Sequence, residues 1–380
     1  MKEKVLNGLR DGRTISGADL AQEFGVSRNM VWKAVERLRR EGYTIGGTPR
    51  RGYRLLAVPD LIRPEEIATA TGFFGRQVHY SWTIGSTNNV AKKLGMDGAP
   101  EGTVVVAERQ TAGRGRLGRT WWDGGTGEIR EVKEAATPPA GTSLLLSLLL
   151  RPSLPPGELV SLTLLAAVAV SRAVERTAGV SLGIKWPNDL LWRERKVAGI
   201  ISEMVAEAET VAFVVLGIGI NVNGRTWPTE LVGKATSLLE VCGKKVDRTN
   251  LAGAVLEEAE RAYLAFMREG PAAIREEWLA RNVTIGCRVA LQTPRERVEG
   301  TAVGLGDDGS LLLKLTGGVR AFACGEVTCG REAEPAGEGH REESGERREG
   351  NPAGPERQWS RRTTLERSER DPNNTVNGEL

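Results

Sequence analysis

Histidine is almost absent from the 380-residue sequence, with His79 and His340 far apart, and the four cysteines, Cys242, Cys287, Cys324 and Cys329, form no CxxC pair. Zinc-type spacing is missing, so no metal-ligating set is expected. Such scattered thiols read as the reduced cysteines of a cytoplasmic protein. The first residues, MKEKVLNGLR, lack the apolar core of a secretory signal. The longest apolar runs, Leu144–Leu150 and Leu162–Val170, are too short to span a bilayer, so no membrane partner is expected. A dominant charge sign is missing too, since 52 Lys and Arg stand against 49 Asp and Glu for a net +3. A nucleic-acid partner therefore has to announce itself as a local basic patch.

Such a patch occurs at the start. In SGADLAQEFGVSRNMVWKAVERLRREG, two short helical periods are separated by Gly25-Val26-Ser27. Ser27 is placed to cap the second helix, and Val31, Val35 and Leu38 form its apolar stripe. Arg28, Lys33, Arg37, Arg39 and Arg40 lie off that stripe. YTIGGTPRRGYRL then reads as strand, turn and strand with Arg50 and Arg51 at the tip. Residues 1–60 thus read as a winged helix-turn-helix, with Ser27, Arg28, Lys33, Arg37, Arg50 and Arg51 as the DNA-contacting set. A helical interaction module with merely solvated charges is the alternative.

Residues 61–282 alternate between strands and helices. Strands are expected at Thr103–Ala107, Thr142–Leu150, Gly183–Trp186, Ala198–Met204 and Val211–Ile220. Helices are expected at Asn89–Leu94, Leu159–Thr177, Asn250–Glu269 and Ala272–Ala280. Residues 283–330 alternate apolar and polar positions around Asp308-Gly309 and Gly317-Gly318, which are hairpin signals, and predict a small β-barrel. The fold class is α+β: a winged helix, a mixed-sheet α/β domain and an SH3-like barrel. Residues 331–380 hold almost no apolar side chains, so a disordered polar tail is expected.

The chemistry concentrates in QTAGRGRLGRTWW, residues 110–122. Gly113 to Gly118 satisfies GxGxxG in letters, but RTWWDGGTG follows where a dinucleotide fingerprint needs a helix. An RGG-type RNA-binding segment would repeat in disordered chain, whereas this stretch follows an apolar strand. An ordered anion-binding loop remains, with glycines admitting backbone N–H groups and arginines supplying forked donors. In GIKWPNDLLWRERKVAGIISE, Lys185 ends an apolar strand and Pro187-Asn188-Asp189 breaks it, fixing Lys185 and Asp189 at the mouth of the sheet. VVLGIGINVN likewise runs into Gly217, Gly219 and Asn221, where missing side chains permit close approach to something bound.

STNN at 86–89, GRGRLGRTW at 113–121, KWPNDL at 185–190, KVAGII at 196–201 and GIGINVN at 217–223 occur in the order of bacterial biotin–protein ligases. With the winged helix, residues 1–330 resemble the bifunctional type that is both ligase and biotin-operon repressor. The resemblance implies that biotin and ATP, with Mg²⁺, give biotinyl-5′-adenylate, and that the biotinyl group then passes to a lysine of a biotin carboxyl carrier protein or domain. Bringing a carboxylate to a triphosphate is opposed by about 1 kcal/mol per unit-charge pair at 4 Å in water, and by about 4 kcal/mol at an effective dielectric of 20. By similarity, Ser86, Thr87, Asn88, Gln110, Gly113, Arg114, Gly115, Arg116 and Asn221 form the biotin and adenylate site, which Arg119 and Trp121 help enclose. Lys185 and Arg116 act on the reacting groups, and Asp189 orients the acceptor lysine. Operator DNA and an adenylate-bound homodimer are the other implied partners.

The sequence departs from the family where DGGTGEIREVKEAATPPAG replaces a short turn, an apparent insertion of about a dozen residues between Trp122 and Pro139. Loop length is tolerated cheaply, at about 0.6 kcal/mol per doubling. The polar tail is a second departure. Three other readings compete: a ligase whose winged helix has lost DNA binding, a lipoate–protein ligase, and a biotin-sensing repressor without catalysis. The combined GRGRxGR and KWPND motifs with a winged helix stand against lipoate. Lys185 and the intact loop stand against the third.

Overall fold

The computed structural model describes residues 1–40, 42–48, 51–58, 60–68, 72–123, 141–153, 159–207 and 210–329. The expected insertion at 123–138, apart from Asp123, and the tail at 331–380 lie outside the described residues, as does Arg50.

The chain starts with α1 (Lys2–Leu9), α2 (Gly17–Glu23) and α3 (Arg28–Arg40), followed by the hairpin β1 (Thr44–Thr48) and β2 (Gly52–Ala57). Ser16 caps α2 through Asp19 N, and Ser27 Oγ accepts from Met30 N at 3.3 Å at the start of α3. Val31, Val35 and Leu38 meet Val5, Leu9, Leu20, Ile45 and Tyr53 in a core of their own. The expected helix-turn-helix and wing are present. α1 adds a third helix that the sequence reading did not include.

Next come α4 (Pro64–Ala68), β3 (Val78–Ile84), α5 (Thr87–Met96), β4 (Val104–Gln110), β5 (Ser143–Leu150), α6 (Leu159–Ala178), β6 (Gly183–Lys185), β7 (Asp189–Trp192), β8 (Arg195–Glu207) and β9 (Thr210–Asn221). Three helices follow: α7 (Leu238–Cys242), α8 (Arg248–Glu269) and α9 (Ala272–Arg281). The strands form a seven-stranded sheet in the order β3-β4-β5-β9-β8-β7-β6. Only the β3–β4 pair is parallel among its ladders. β5 is buried along its whole length because both faces are covered. Leu144, Leu146 and Leu148 belong to the main core with α6 and α8, while Leu149 joins Val105, Val215 and Ala91 of α5.

β10 (Arg288–Gln292), β11 (Arg297–Leu305), β12 (Leu311–Leu315), β13 (Gly318–Phe322) and β14 (Glu326–Cys329) end the described chain. Both hairpin signals hold, with Gly309 and Gly318 at positive φ in their turns. The expected closed barrel is not what the ladders form. The order β13-β12-β11-β10-β14 is an open antiparallel sheet, and among the described residues no ladder joins β13 to β14. β13 is exposed from Gly318 to Ala321, and its Arg320 pairs with Glu296 at 2.6 Å, a charged side chain of the kind that protects an edge. Val289, Leu291, Leu311 and Val327 are continuous with the main core.

Behind the sheet lies a buried charge network. Arg248 and Glu108 are both fully buried and paired at 2.7 Å. Arg248 also reaches Asp60 Oδ1 at 3.1 Å and donates to Ser143 O at 2.9 Å. Glu108 Oε1 accepts from Ile62 N at 2.8 Å. The connection after the wing is thereby fastened to β4, β5 and α8. Arg248→Ala leaves Glu108 buried beside no cation, a change that costs about 3–5 kcal/mol. Denaturant unfolding of the full chain should show that loss, with a smaller one for Arg248→Met combined with Glu108→Gln. A single-variant loss below about 1 kcal/mol would contradict the assignment.

Candidate functional site

One cavity of about 430 Å³ opens on the sheet face that carries α5. Gln110, at the end of β4, directs Oε1 to the start of α5, accepting from Thr87 N at 2.7 Å and Thr87 Oγ1 at 3.1 Å. From there the chain folds back on itself as a short hairpin. Trp121 N donates to Gly113 O at 3.0 Å, Gly115 N donates to Arg119 O at 2.7 Å, and Arg114 bridges Thr120. A single 3₁₀ turn, Arg116–Gly118, makes the tip, so no helix follows the glycines. Asp123 closes the base, accepting from Arg109 Nε at 2.7 Å and from Gln110 N at 3.1 Å.

Each arginine of this loop is held by oxygens from a different part of the chain. Arg114 Nη2 donates to Asn89 Oδ1 at 2.6 Å and lies 3.1 Å from a Glu203 oxygen. Arg116 Nη1 donates to Asn188 Oδ1 and to Gly325 O, both at 3.2 Å. Arg119 pairs with Glu326 at 2.5 Å. Burial draws the Arg116 pKa below its ordinary value against the opposing charges of Asp189, Cys324 and Glu326.

The hairpin β6–β7 supplies the facing wall. Trp186 is buried, with its backbone N bonded to Thr284 Oγ1 at 2.9 Å and Nε1 to Gly309 O at 3.0 Å, and this anchors the strand next to Lys185. Asn188 and Ile200 exchange hydrogen bonds of 2.9 and 3.0 Å, which fix the following turn on β8. Lys185 and Asp189 are register partners lining the cavity. Asp189 Oδ1 pairs with Lys196 Nζ at 2.6 Å, and that ammonium lies 5.6 Å from the Trp121 ring centroid.

Ser86, Thr87, Asn88, Gln110, Arg114, Gly115, Arg116, Arg119, Trp121, Lys185, Asp189 and Asn221 are all brought together around this cavity. Gly113 does not line it. A Cβ there would meet Trp121 O at 2.9 Å and Gln110 Nε2 at 3.1 Å, so its work is to let the hairpin close. The glycines of β9, Gly217 and Gly219, line the cavity and also admit protein atoms. A Cβ on Gly219 would lie 2.5 Å from the Trp121 ring, and one on Gly217 would lie 2.2 Å from Asn88 Oδ1. Asn223, in the same motif, turns to Asp60 Oδ2 at 2.5 Å and brackets Val246 through its amide. The sequence reading missed Asn188, Lys196, Trp227, Leu231, Lys234 and Glu326 at the cavity. Asn188 and Lys196 stand inside quoted motifs, while Glu326 arrives from a sheet distant in sequence and carried no local signal.

On the winged helix, Arg28, Lys33, Arg37 and Arg51 are exposed, and Ser27 caps α3. Arg39 instead reaches the wing backbone, donating to Ile45 O and Gly47 O at 2.8 Å. The same exposed face carries Asn29, Met30 and Trp32, the last two 47% and 42% exposed, which the charge-based reading passed over. Asn can pair with adenine edges and apolar side chains can meet thymine methyls in a major groove.

A helix-turn-helix in front of a sheet-borne cavity with a fixed cationic loop defines a DNA-reading module joined to an enzyme that binds anionic substrates. Family models agree, matching an HTH domain at 2–54, the biotin/lipoate A/B protein ligase family at 80–128 and 135–221, and the biotin protein ligase C-terminal domain at 284–329. The chain is 38% identical over 320 residues to the bifunctional ligase/repressor BirA of Bacillus subtilis, covering 83% of this chain and 94% of that protein. Identity to the Escherichia coli protein of the same name is 29% over 326 residues, with 86% and 96% covered. The biotin protein ligase of Aquifex aeolicus, solved with biotin and ATP, superposes with a TM-score of 0.55 at 29% identity, covering 68% of this chain and all of that one. The chain belongs to the bifunctional biotin ligase/repressor BirA family.

Proposed function

We propose that this protein joins biotin to ATP as biotinyl-5′-adenylate, transfers the biotinyl group to a lysine of a biotin carboxyl carrier protein or domain, and represses transcription from operator DNA in response to biotin. The observation that carries the enzymatic part is the meeting of Lys185 with the loop arginines around one cavity of small-ligand size. In the first step a biotin carboxylate oxygen attacks the α-phosphorus, the bond from that phosphorus to the β-bridging oxygen breaks, and pyrophosphate leaves. Arg116 and Lys185 meet the charge that gathers on the α-phosphate oxygens. Ser86, Thr87, Asn88 and Gln110 form the biotin end, and Arg114, Gly115, Arg119, Trp121 and Asn221 enclose the adenylate. In the second step the neutral acceptor amine attacks the acyl carbon, the bond to the phosphate oxygen breaks, AMP leaves, and the amine gives up one proton to solvent. Asp189 orients that amine, with Lys196 Nζ as its other partner at 2.6 Å.

Mg²⁺ belongs to this reading as a companion of the triphosphate. Among the described residues no group of three or more His, Cys, Asp or Glu side chains could cage a metal. Mg²⁺ in such a role keeps waters and phosphate oxygens and takes one or two carboxylates. Among the described residues no helix is long and apolar enough to cross a membrane.

Pyrophosphate exchange into ATP tests the enzyme. Exchange should require biotin, and Lys185→Ala should lower its rate about 10²–10³-fold, the range for losing a preorganised electrostatic group, while biotin affinity falls far less. Equal exchange with lipoate would overturn the substrate, and a parallel loss of biotin affinity would reduce Lys185 to a binding residue.

For DNA, α3 covers one half-site, so a pair of chains reading sites roughly 34 Å or a multiple apart is part of the proposal. The adenylate drives that pairing, and the coupling must be reciprocal. Affinity for an upstream biotin-operon fragment should tighten with biotin plus ATP, weaken when unbiotinylated carrier is added, and fall steeply with salt through Arg28, Lys33, Arg37 and Arg51. Mobility shifts that ignore biotin and ATP would leave a ligase whose winged helix is not biotin-responsive.

A further inference from the structure

Glu203 of β8 is a carboxylate on the cavity side of the sheet. Glu203 follows Gly199 and Ile201 at the two-residue spacing of one strand face, yet unlike them it does not line the cavity. Its side chain is 18% exposed and gathers three donors. Lys92 Nζ lies 2.6 Å from Oε1, Asn88 Nδ2 lies 2.6 Å from Oε2, and Arg114 Nη2 is 3.3 and 3.1 Å from the two oxygens. Burial works to raise its pKa, but the bonds from Lys92 and Asn88 and the charges of Lys92 and Arg114 hold it below the usual carboxylate range. Glu203 is therefore an anion at neutral pH.

The same carboxylate grips two segments that do line the cavity. Asn88 is buried, its Oδ1 accepts from Ser147 Oγ at 2.6 Å, and its amide lies over Gly217, so Glu203 completes the set that fixes its orientation. Arg114 is held between Glu203 and Asn89 Oδ1. A strand-to-helix ion pair needs one cation, and Lys92 already provides it. The second cation comes from the anion loop, and its capture fastens that loop to α5 and β8 at one point. With Lys92 and Arg114 both positive, one charge of the trio is left over to act on an anion in the cavity.

The geometry points to Glu203 as a positioning residue that acts through Arg114, setting how firmly the loop retains the adenylate. This rests on the ligase reading above. Without Glu203, Arg114 keeps its charge but loses its fixed direction, and the guanidinium must be ordered each time the loop closes on ligand. Charge-assisted hydrogen bonds of this kind span a range that includes a tenfold effect on an equilibrium.

The test uses the full chain as wild type, Glu203→Gln, Arg114→Ala and the double variant, with release of preformed biotinyl-5′-adenylate followed by chase. Glu203→Gln should release adenylate about tenfold faster and raise KM for ATP more than it lowers kcat. In the Arg114→Ala background the same change should add less than about twofold, because the glutamine amide oxygen can still accept from Asn88 and the lost charge acted on the missing guanidinium. Lys92→Met, which takes a cation from the same carboxylate without touching Arg114, should leave release within about twofold of wild type. Effects of Glu203→Gln and Arg114→Ala that multiply in the double variant would overturn the proposal. So would a Lys92→Met chain that releases adenylate as fast as Glu203→Gln, since the carboxylate would then serve α5 alone. A wild-type chain that forms no adenylate from biotin and ATP would count against the ligase reading itself.

Discussion

A carboxylate and a triphosphate repel one another, and in the proposed reaction the constraint is to fix positive charge beside the cavity where they would meet. Arginine side chains are long and lose rotamer entropy when fixed, so charge alone does not solve the problem. Here the chain supplies the fixing oxygens itself: Glu203 and Asn89 for Arg114, Asn188 and Gly325 for Arg116, Glu326 for Arg119. Those oxygens come from α5, β8, the β6–β7 turn and the C-terminal sheet. The loop is thus the point at which distant parts of the chain become dependent on one another.

That dependence explains features that look unrelated along the sequence. Gly219 and Gly217 leave room for the Trp121 ring and the Asn88 amide, which carry the loop and the start of α5 down onto the sheet. Trp186 is pinned by Thr284 and Gly309, so the strand that presents Lys185 is indexed to the C-terminal sheet that also presents Glu326. Behind them, Arg248 and Glu108 tie the segment after the wing to β4, two residues before Gln110. The segment after the wing, the loop and the C-terminal sheet are therefore all indexed to the central sheet and its hairpin.

Periodicity made most of this architecture legible. The expected strands and helices from Thr103 to Ala280 match the observed elements to within a few residues, because β5 and α6 are long and strongly apolar. β3 escaped even though Val78, Tyr80, Trp82 and Ile84 alternate with polar residues, and as an edge strand it is only partly buried. The small hairpins were placed correctly, but whether five strands close depends on pairing between their two ends, which no local signal carries. Motif reading found the cavity-facing residues and could not say which were structural. The close protein neighbours of Gly113, Gly217 and Gly219 are visible only once Trp121 and Asn88 are folded over them. Glu203 and Glu326 went unseen because their partners lie 89 and more than 200 residues away along the chain.

The central claim is that the loop's fixed charge retains the intermediate as well as promoting its formation. Arg116→Gly separates the two roles, and the measurement is adenylate formation by pyrophosphate exchange alongside biotin labelling of bystander proteins in the same sample. The account predicts that exchange persists while labelling becomes indiscriminate, because an adenylate that escapes reacts with any exposed amine. A variant without exchange and without stray labelling would contradict it, leaving Arg116 with a part in making the adenylate and none in keeping it.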